Sequence, residues 1–104
     1  MTSIFKALAD PTRRQVLQIL RAGPMGAGAL ADAFDVSKPT MSAHFAVLVA
    51  ADLIEAEKSG RTIMYRLKMS VLEEALMDFA HTFGLQVTPG TPIIAARSRA
   101  KEKS

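Results

Sequence analysis

A mainly α-helical domain carrying one small β-hairpin, α+β in class, is the architecture that this chain of 104 residues predicts. Three observations carry that expectation. Apolar residues recur every three to four positions over most of the chain. Between residues 54 and 67 that period gives way to alternation on either side of Ser59-Gly60. Proline and glycine punctuate the boundaries, as in Asp10-Pro11, Gly23-Pro24 and Gly84.

Taken in order, Ser3 is placed to cap a short opening helix carrying Ile4, Phe5, Ala7 and Leu8, an apolar density high for a terminus that would otherwise fray. Such a segment needs something to pack against, a second copy included. Asp10-Pro11 starts the next helix: the carboxylate is the N-cap, and the proline sits in the first turn, where its missing N–H costs nothing. Val16, Leu17, Ile19 and Leu20 supply its apolar side, and Gly23-Pro24 stops it. A shorter helix is expected from about Ala27 to Phe34, with Leu30, Ala31 and Phe34 inward and Gly26 where a stronger cap would be usual. Asp35 and Val36 lead into Ser37, so two helices are joined by about a three-residue turn, the spacing of a helix-turn-helix.

Ser37 to Leu48 then forms a short helix with one apolar seam. Ser37 caps it, Pro39 falls in its first turn, and Met41, Phe45 and Leu48 recur at i, i+4 and i+7. Lys38, Thr40, Ser42, Ala43 and His44 occupy the N-terminal end. A duplex major groove admits an α-helix, and a helix N-terminus is electropositive, so short donors and acceptors there suit phosphates and base edges. Taken alone, the segment is equally an ordinary amphipathic surface helix.

Beyond it, Ile54 and Ala56, then Ile63, Tyr65 and Leu67, lie on one face of two strands, with Ser59-Gly60 as the turn. Glu55, Glu57, Lys58, Arg61, Arg66 and Lys68 take the other face and the tip. A two-stranded ribbon is marginal alone, so the Ile63, Tyr65, Leu67 stripe should close the helical core. A helix-turn-helix followed by a basic-tipped hairpin is a winged helix. Ser70-Val71-Leu72-Glu73 fits a capping box that opens a last helix, along which Leu72, Leu76, Phe79 and Phe83 form a wide apolar stripe before Gly84 ends it. Apolar surplus at both ends argues for a homodimer, with Ile4, Phe5, Leu8, Leu72, Leu76, Phe79 and Phe83 at its interface. The plainer alternative is that these helices cover the monomer's own core. Residues 1–84 thus form a winged helix-turn-helix and dimerisation domain. Residues 85–104, with Pro89, Gly90, Pro92, Arg97, Arg99, Lys101 and Lys103, are a flexible basic tail.

Composition bounds the function. An apolar fraction of 49% supplies one core, while the length is short for two conventional domains. The absence of cysteine excludes disulfides, thiolate metal sites, thiol redox switches and cysteine nucleophiles. No uncharged apolar run is long enough to cross a bilayer, and no signal-peptide pattern opens the chain, so a cytoplasmic protein with no membrane partner, working on the nucleoid, is expected. The formal charge of +3 is compatible with nucleic acid, though much of the excess lies in the final residues.

Three stretches carry a family resemblance: Phe-Lys-Ala-Leu-Ala-Asp-Pro-Thr-Arg-Arg from Phe5 to Arg14, Ser-Lys-Pro-Thr-Met-Ser-Ala-His-Phe from Ser37, and Gly-Arg-Thr-Ile-Met-Tyr-Arg-Leu from Gly60 to Leu67. In their order and spacing the chain resembles the ArsR/SmtB family of small bacterial repressors, and within it the metal-independent, SdpR-type autorepressors. The resemblance implies a dimeric winged-helix repressor whose first and last helices form the interface. It further implies binding of double-stranded DNA at an inverted-repeat operator, without a metal or other cofactor. Its recognition pattern falls on Lys38, Thr40, Ser42 and His44, flanked by Ser37 and Ala43, and its basic wing on Lys58 and Arg61. Ala43 and Ala46 depart from it, standing where the family has polar or basic side chains, so target sequence and affinity should differ from those of relatives.

Each candidate has a plainer reading. Asp78 and His81 share a helix face, but two ligands fall short of a zinc site, and an ordinary surface pair is the default. His44 contacts a phosphate, satisfies a backbone carbonyl at the core edge, or does both. Ser42 and His44 cannot act as nucleophile and base, because positions i and i+2 do not face one another; no catalytic set is apparent, and an enzyme is not expected. Arg13 and Arg14 could touch the DNA backbone or pair with Asp10 and neighbouring acids, with a solvated helix face as the default. Lys58 and Arg61, beside a recognition helix, would lie over the adjacent backbone or minor groove. The rival from another class is a winged-helix protein-interaction module, suggested by the acidic Asp32, Asp35, Asp52, Glu55 and Glu57. An inducing ligand, a sequestering partner protein and plain autoregulation are all compatible with these residues.

Overall fold

Local capping chemistry sets most helix boundaries. The computed structural model describes residues 2–85, with side chains from Ile4 onward. Its elements are α1 (Thr2–Leu8), α2 (Pro11–Leu20), β1 (Met25–Gly26), α3 (Ala27–Asp32), α4 (Lys38–Ala50), β2 (Ile54–Ser59), β3 (Thr62–Leu67) and α5 (Met69–Thr82). The chain divides after Glu73 into two compact units. The expected basic tail lies, beyond Leu85, outside the described residues. As expected, Asp10 caps α2, its Oδ1 accepting the N–H groups of Thr12 at 2.8 Å and Arg13 at 3.1 Å. Ser3, expected as a cap, instead falls inside α1.

Arg13, half-buried, and Arg14, exposed, do more than form the solvated face expected by default. A helix end leaves its last carbonyls without intrahelical donors, and in α1 these two side chains supply them. Arg13 Nε donates to Ala7 O at 2.8 Å, Arg13 Nη2 to Lys6 O at 2.9 Å, and Arg14 Nη1 to Leu8 O at 2.7 Å. Cations at a helix C-terminus also oppose its partial negative charge. A seven-residue helix too short to persist alone is held by the start of the next one.

The helix before α4 is shorter than expected, ending at Asp32 rather than Phe34, and the connection to α4 spans residues 33–37. The chain keeps turning there, with Ala33 N–H bonded to Leu30 O and Phe34 N–H to Ala31 O, so the apolar spacing continues past the regular helix. At the far end of α4, Asp52 N–H bonds to Val49 O and Leu53 N–H reaches back to Leu48 O, a Schellman closure. Asp52 occupies the left-handed position, φ 63°, that glycine usually takes. Its carboxylate accepts from Lys68 Nζ at 2.7 Å, and this bond raises the Lys68 pKa. The closure swings Leu53 and Ile54 into the core beside Val16, Leu17, Leu20, Leu30, Met41, Phe45 and Leu48.

The hairpin has a third, unforeseen member. The sheet order is β1-β3-β2, with Met25 opposite Tyr65 and Gly26 opposite Met64. This explains a glycine at the start of α3: a Cβ on Gly26 would meet the Thr62 methyl at 3.2 Å, so a better-capping side chain would crowd β3. The hairpin turn is Gly60-Arg61, one residue later than Ser59-Gly60, because Ser59 pairs with Thr62. Gly60 carries the positive φ that such a two-residue turn requires. Of the expected core stripe, Tyr65 and Leu67 pack on the helical core, with the Tyr65 ring 4.9 Å from that of Phe45. Ile63 does not. It lies opposite Lys58 near the tip and is 43% exposed. That register also places Lys58 on the apolar face rather than with Glu55 and Glu57.

Ser70 does not cap α5, which begins at Met69. Lys68 takes the flanking position, its N–H donating to Leu53 O at 2.8 Å while its carbonyl accepts from Val71 and Leu72. Gly84 ends the helix as expected, φ 72°, in a second Schellman closure: Gly84 N–H bonds to His81 O and Leu85 N–H to Ala80 O.

Two stability outcomes follow. Because Asp52 is left-handed, Asp52→Gly should be more stable than Asp52→Ala by about 1 kcal/mol, both having lost the Lys68 contact; urea unfolding of the pair measures it. Leu48→Ala, at a fully buried site, should cost about 2–5 kcal/mol on the same assay.

Candidate nucleic-acid interface

The N-terminal half of α4 faces solvent. Ser37, Lys38, Thr40, Ser42 and Ala43 are exposed and His44 is half-buried, whereas Met41, Phe45 and Leu48 anchor the opposite side. The cap is reciprocal: Thr40 N–H donates to Ser37 Oγ at 3.4 Å, and the Ser37 hydroxyl donates to Thr40 Oγ1 at 2.9 Å. Ser37 therefore holds the helix start and orients the Thr40 hydroxyl beside it. Further along, Ala46, Val49 and Ala50 are also exposed, so the rest of this face is small and apolar.

His44 meets neither a carbonyl nor open solvent alone: its Nδ1 lies 3.3 Å from Arg13 Nη1. Sequence reasoning missed Arg13 as part of this constellation. No local pattern joins residues 31 apart. Asp10 belongs to it too. The backbone N–H of Arg13 lowers its carboxyl below the ordinary 3.8, with the Thr12 N–H and the nearby His44 and Arg13 charges acting in the same direction against desolvation.

On the wing, Lys58 and Arg61 are exposed, Arg61 within the turn itself. The neighbouring acids are held by cations: Arg66 Nε lies 3.5 Å from Glu55 Oε1 and Arg66 Nη2 3.0 Å from Glu57 Oε2, while Asp52 pairs with Lys68. Three of the five acids that suggested a protein-interaction module are thus partly neutralised locally. Asp32 and Asp35 are exposed. Asp78 and His81 are both exposed on α5, and among the described residues no cluster of three His, Cys, Asp or Glu side chains is placed to hold a metal. Among the described residues, no helix is long and apolar enough to cross a membrane.

The expected interface residues divide by burial. Ile4, Leu8 and Leu72 are half-buried and pack on the chain's own core. Phe5 is exposed, and in the second unit Leu76 is half-buried while Phe79 and Phe83 are exposed, their rings 4.8 Å apart.

A family model described as a helix-turn-helix domain matches residues 8–57, from the end of α1 into β2. The transcriptional repressor SdpR of Bacillus subtilis is 41% identical over 76 residues, covering 73% of this chain and 84% of SdpR. An ArsR-like transcriptional regulator from Rhodococcus superposes with a TM-score of 0.70 at 32% identity, covering 80% of this chain and 77% of that one. The chain belongs to the ArsR/SmtB family. This ArsR/SmtB member shares its fold with the homodimeric winged helix-turn-helix DNA-binding domain of a possible ArsR-family regulator from Mycobacterium bovis, at TM-score 0.63 and 25% identity over 84% of this chain and 85% of that one. Its relatives are regulators of transcription rather than enzymes, and it is a DNA-binding regulator of their kind.

The Asp10 cap makes stability pH-dependent with a definite sign. Because the folded pKa is depressed, its contribution is fully present above the unfolded value of 3.8 and is lost as pH falls through the lower folded value. Melting temperatures of the wild type and Asp10→Ala should therefore differ above that window and converge below it. A gap that stays constant into strong acid would exclude the carboxylate as its source.

Proposed function

We propose that this protein is a homodimeric transcriptional repressor that binds an inverted-repeat operator without a metal cofactor. Two copies of α4 would enter successive major grooves roughly 34 Å apart on one face of the duplex, and repression would follow from occupying the promoter, its own included. The observation that carries this reading is α4 itself: a capped helix fixed by Met41, Phe45 and Leu48, with Ser37, Lys38, Thr40, Ser42 and Ala43 turned to solvent.

Other features support it. Thr40, Ser42 and Ala43 are short enough for base edges to approach, and Lys38 and the helix N-terminus suit a phosphate. Lys58 and Arg61 would lie over the flanking backbone or minor groove. Dimerisation would draw on Ile4, Phe5 and Leu8 of α1 and on Leu72, Leu76, Phe79 and Phe83 of α5, and a homodimeric relative supports it. Metal independence rests on the absence of cysteine, which removes the thiolate ligands a metal site would draw on. The domain would comprise residues 1–84, and the basic tail beyond would add salt-sensitive, sequence-independent attraction. The site of action would be the nucleoid in the cytoplasm.

Fluorescence anisotropy against genomic promoter fragments tests the function; equal affinity for every sequence at physiological salt would count against it. Ser42→Ala should reduce discrimination between operator and random DNA. Arg61→Ala should instead weaken binding to all sequences alike and lower the salt slope by about one.

A further inference from the structure

From the first turn of α2, the Arg13 side chain reaches two other helices, α1 and α4. Two of its nitrogens are fixed on the end of α1, at Ala7 O and Lys6 O, so the guanidinium plane is set before it meets α4. Its third nitrogen, Nη1, lies 3.3 Å from His44 Nδ1. A guanidinium can only donate, so Nδ1 is the acceptor, and the neutral ring must carry its proton on Nε2. An imidazole otherwise divides its proton between two nitrogens and can rotate; the Arg13 contact favours the Nε2–H tautomer in this orientation.

We propose that Arg13 is a positioning residue for DNA binding, holding His44 as an Nε2–H donor to an operator backbone phosphate. The inference rests on the DNA-binding reading above and deepens it. Two observations favour this use of the ring. His44 lies one residue from the exposed Ala43, on the half of α4 that faces solvent, and it remains half-exposed. The neighbouring Ala43 and Ala46 offer no side-chain donor, so a fixed imidazole N–H supplies one between them, beyond the reach of Lys38 and Thr40 at the helix start. Arg13 also places a permanent positive charge behind the ring, which strengthens the pull on an anion.

The test has one arm without DNA and one with it. Nitrogen-edited NMR of the full-length protein, at a pH where the ring is neutral, should show the His44 proton on Nε2, and Arg13→Gln should shift the tautomer balance towards a mixture. With an operator fragment, His44→Ala should weaken binding about tenfold or more, the size of a hydrogen bond to a charged partner. His44→Gln should restore most of the affinity, because its amide oxygen can accept from Arg13 while its NH2 donates outward. Arg13→Gln should weaken binding when His44 is present and add little in the His44→Ala background. If Arg13→Gln unsettles α1 in thermal melts, Arg13→Lys, which keeps the charge but lacks the planar fork, takes its place. A proton on Nδ1 in the wild type, equal losses from the Arg13 change in both backgrounds, or failure of His44→Gln to rescue would overturn this inference alone. A wild-type protein with no preference for any inverted repeat would overturn the proposed function as well, while leaving the tautomer result readable.

Discussion

Burial of Met41, Phe45 and Leu48 is the constraint on which the exposed face of α4, the candidate interface, depends. Three side chains at i, i+4 and i+7 fix the rotation of α4 about its axis, each contributing about 1.5–3 kcal/mol when removed from water. Once that side is inward, Ser42, Ala43 and Ala46 have no choice but to face out. The ends fix the helix along its axis: the Ser37 cap sets the first turn, and the Asp52 closure drives Leu53 and Ile54 back into the same core. Because Phe45 also packs on Tyr65, the strand that carries the wing is tied to the helix it flanks.

The distribution of charge follows a similar division. Arg13 and Arg14 close α1, Arg66 bridges Glu55 and Glu57, and Lys68 sits on Asp52. These bases are committed within the chain, and each holds a boundary or a strand pair in place. Lys38, Lys58 and Arg61 remain exposed at the helix start and along the hairpin. A net charge of +3 would not reveal this, since the count treats an arginine that caps a helix and one that meets a phosphate as equal.

What the sequence discloses and what it hides divide along the same line, between local and distant chemistry. The Asp10 and Ser37 caps, the Gly84 stop and the α4 seam depend on neighbours within a turn or two, and all were legible. The two-residue β1 was not, because Met25-Gly26 follows a Gly-Pro step that reads as loop and its ladder partner lies forty residues away on β3. Gly26 looked like a weak cap for want of that partner. The Ser70 cap failed because Lys68, tied to Leu53 O, starts α5 earlier. Ile63 obeyed the period of two but lies beyond the edge of the helical body, where alternation no longer implies burial. Arg13 was visible as a charge but not as a link, since nothing local predicts that it reaches α1 and His44 together.

The solvent face of α4 has a consequence for how such a regulator would divide affinity from specificity. Ala43, Ala46, Val49 and Ala50 have no charge to give and little side chain to order, so this face would gain little from phosphates and pay little entropy on docking. Small apolar groups in a major groove sense the thymine methyl and the shape of the groove wall, and they let the helix backbone approach closely. Attraction to the duplex would then come from the periphery, from Lys38, Lys58 and Arg61, while the short side chains along the exposed face of α4 would distinguish sequences. Peripheral contacts of this kind are salt-sensitive and tolerant of sequence; central ones are neither. On the proposed reading the two functions would sit on separate parts of one helix and its wing, because a buried seam holds that helix at a single angle.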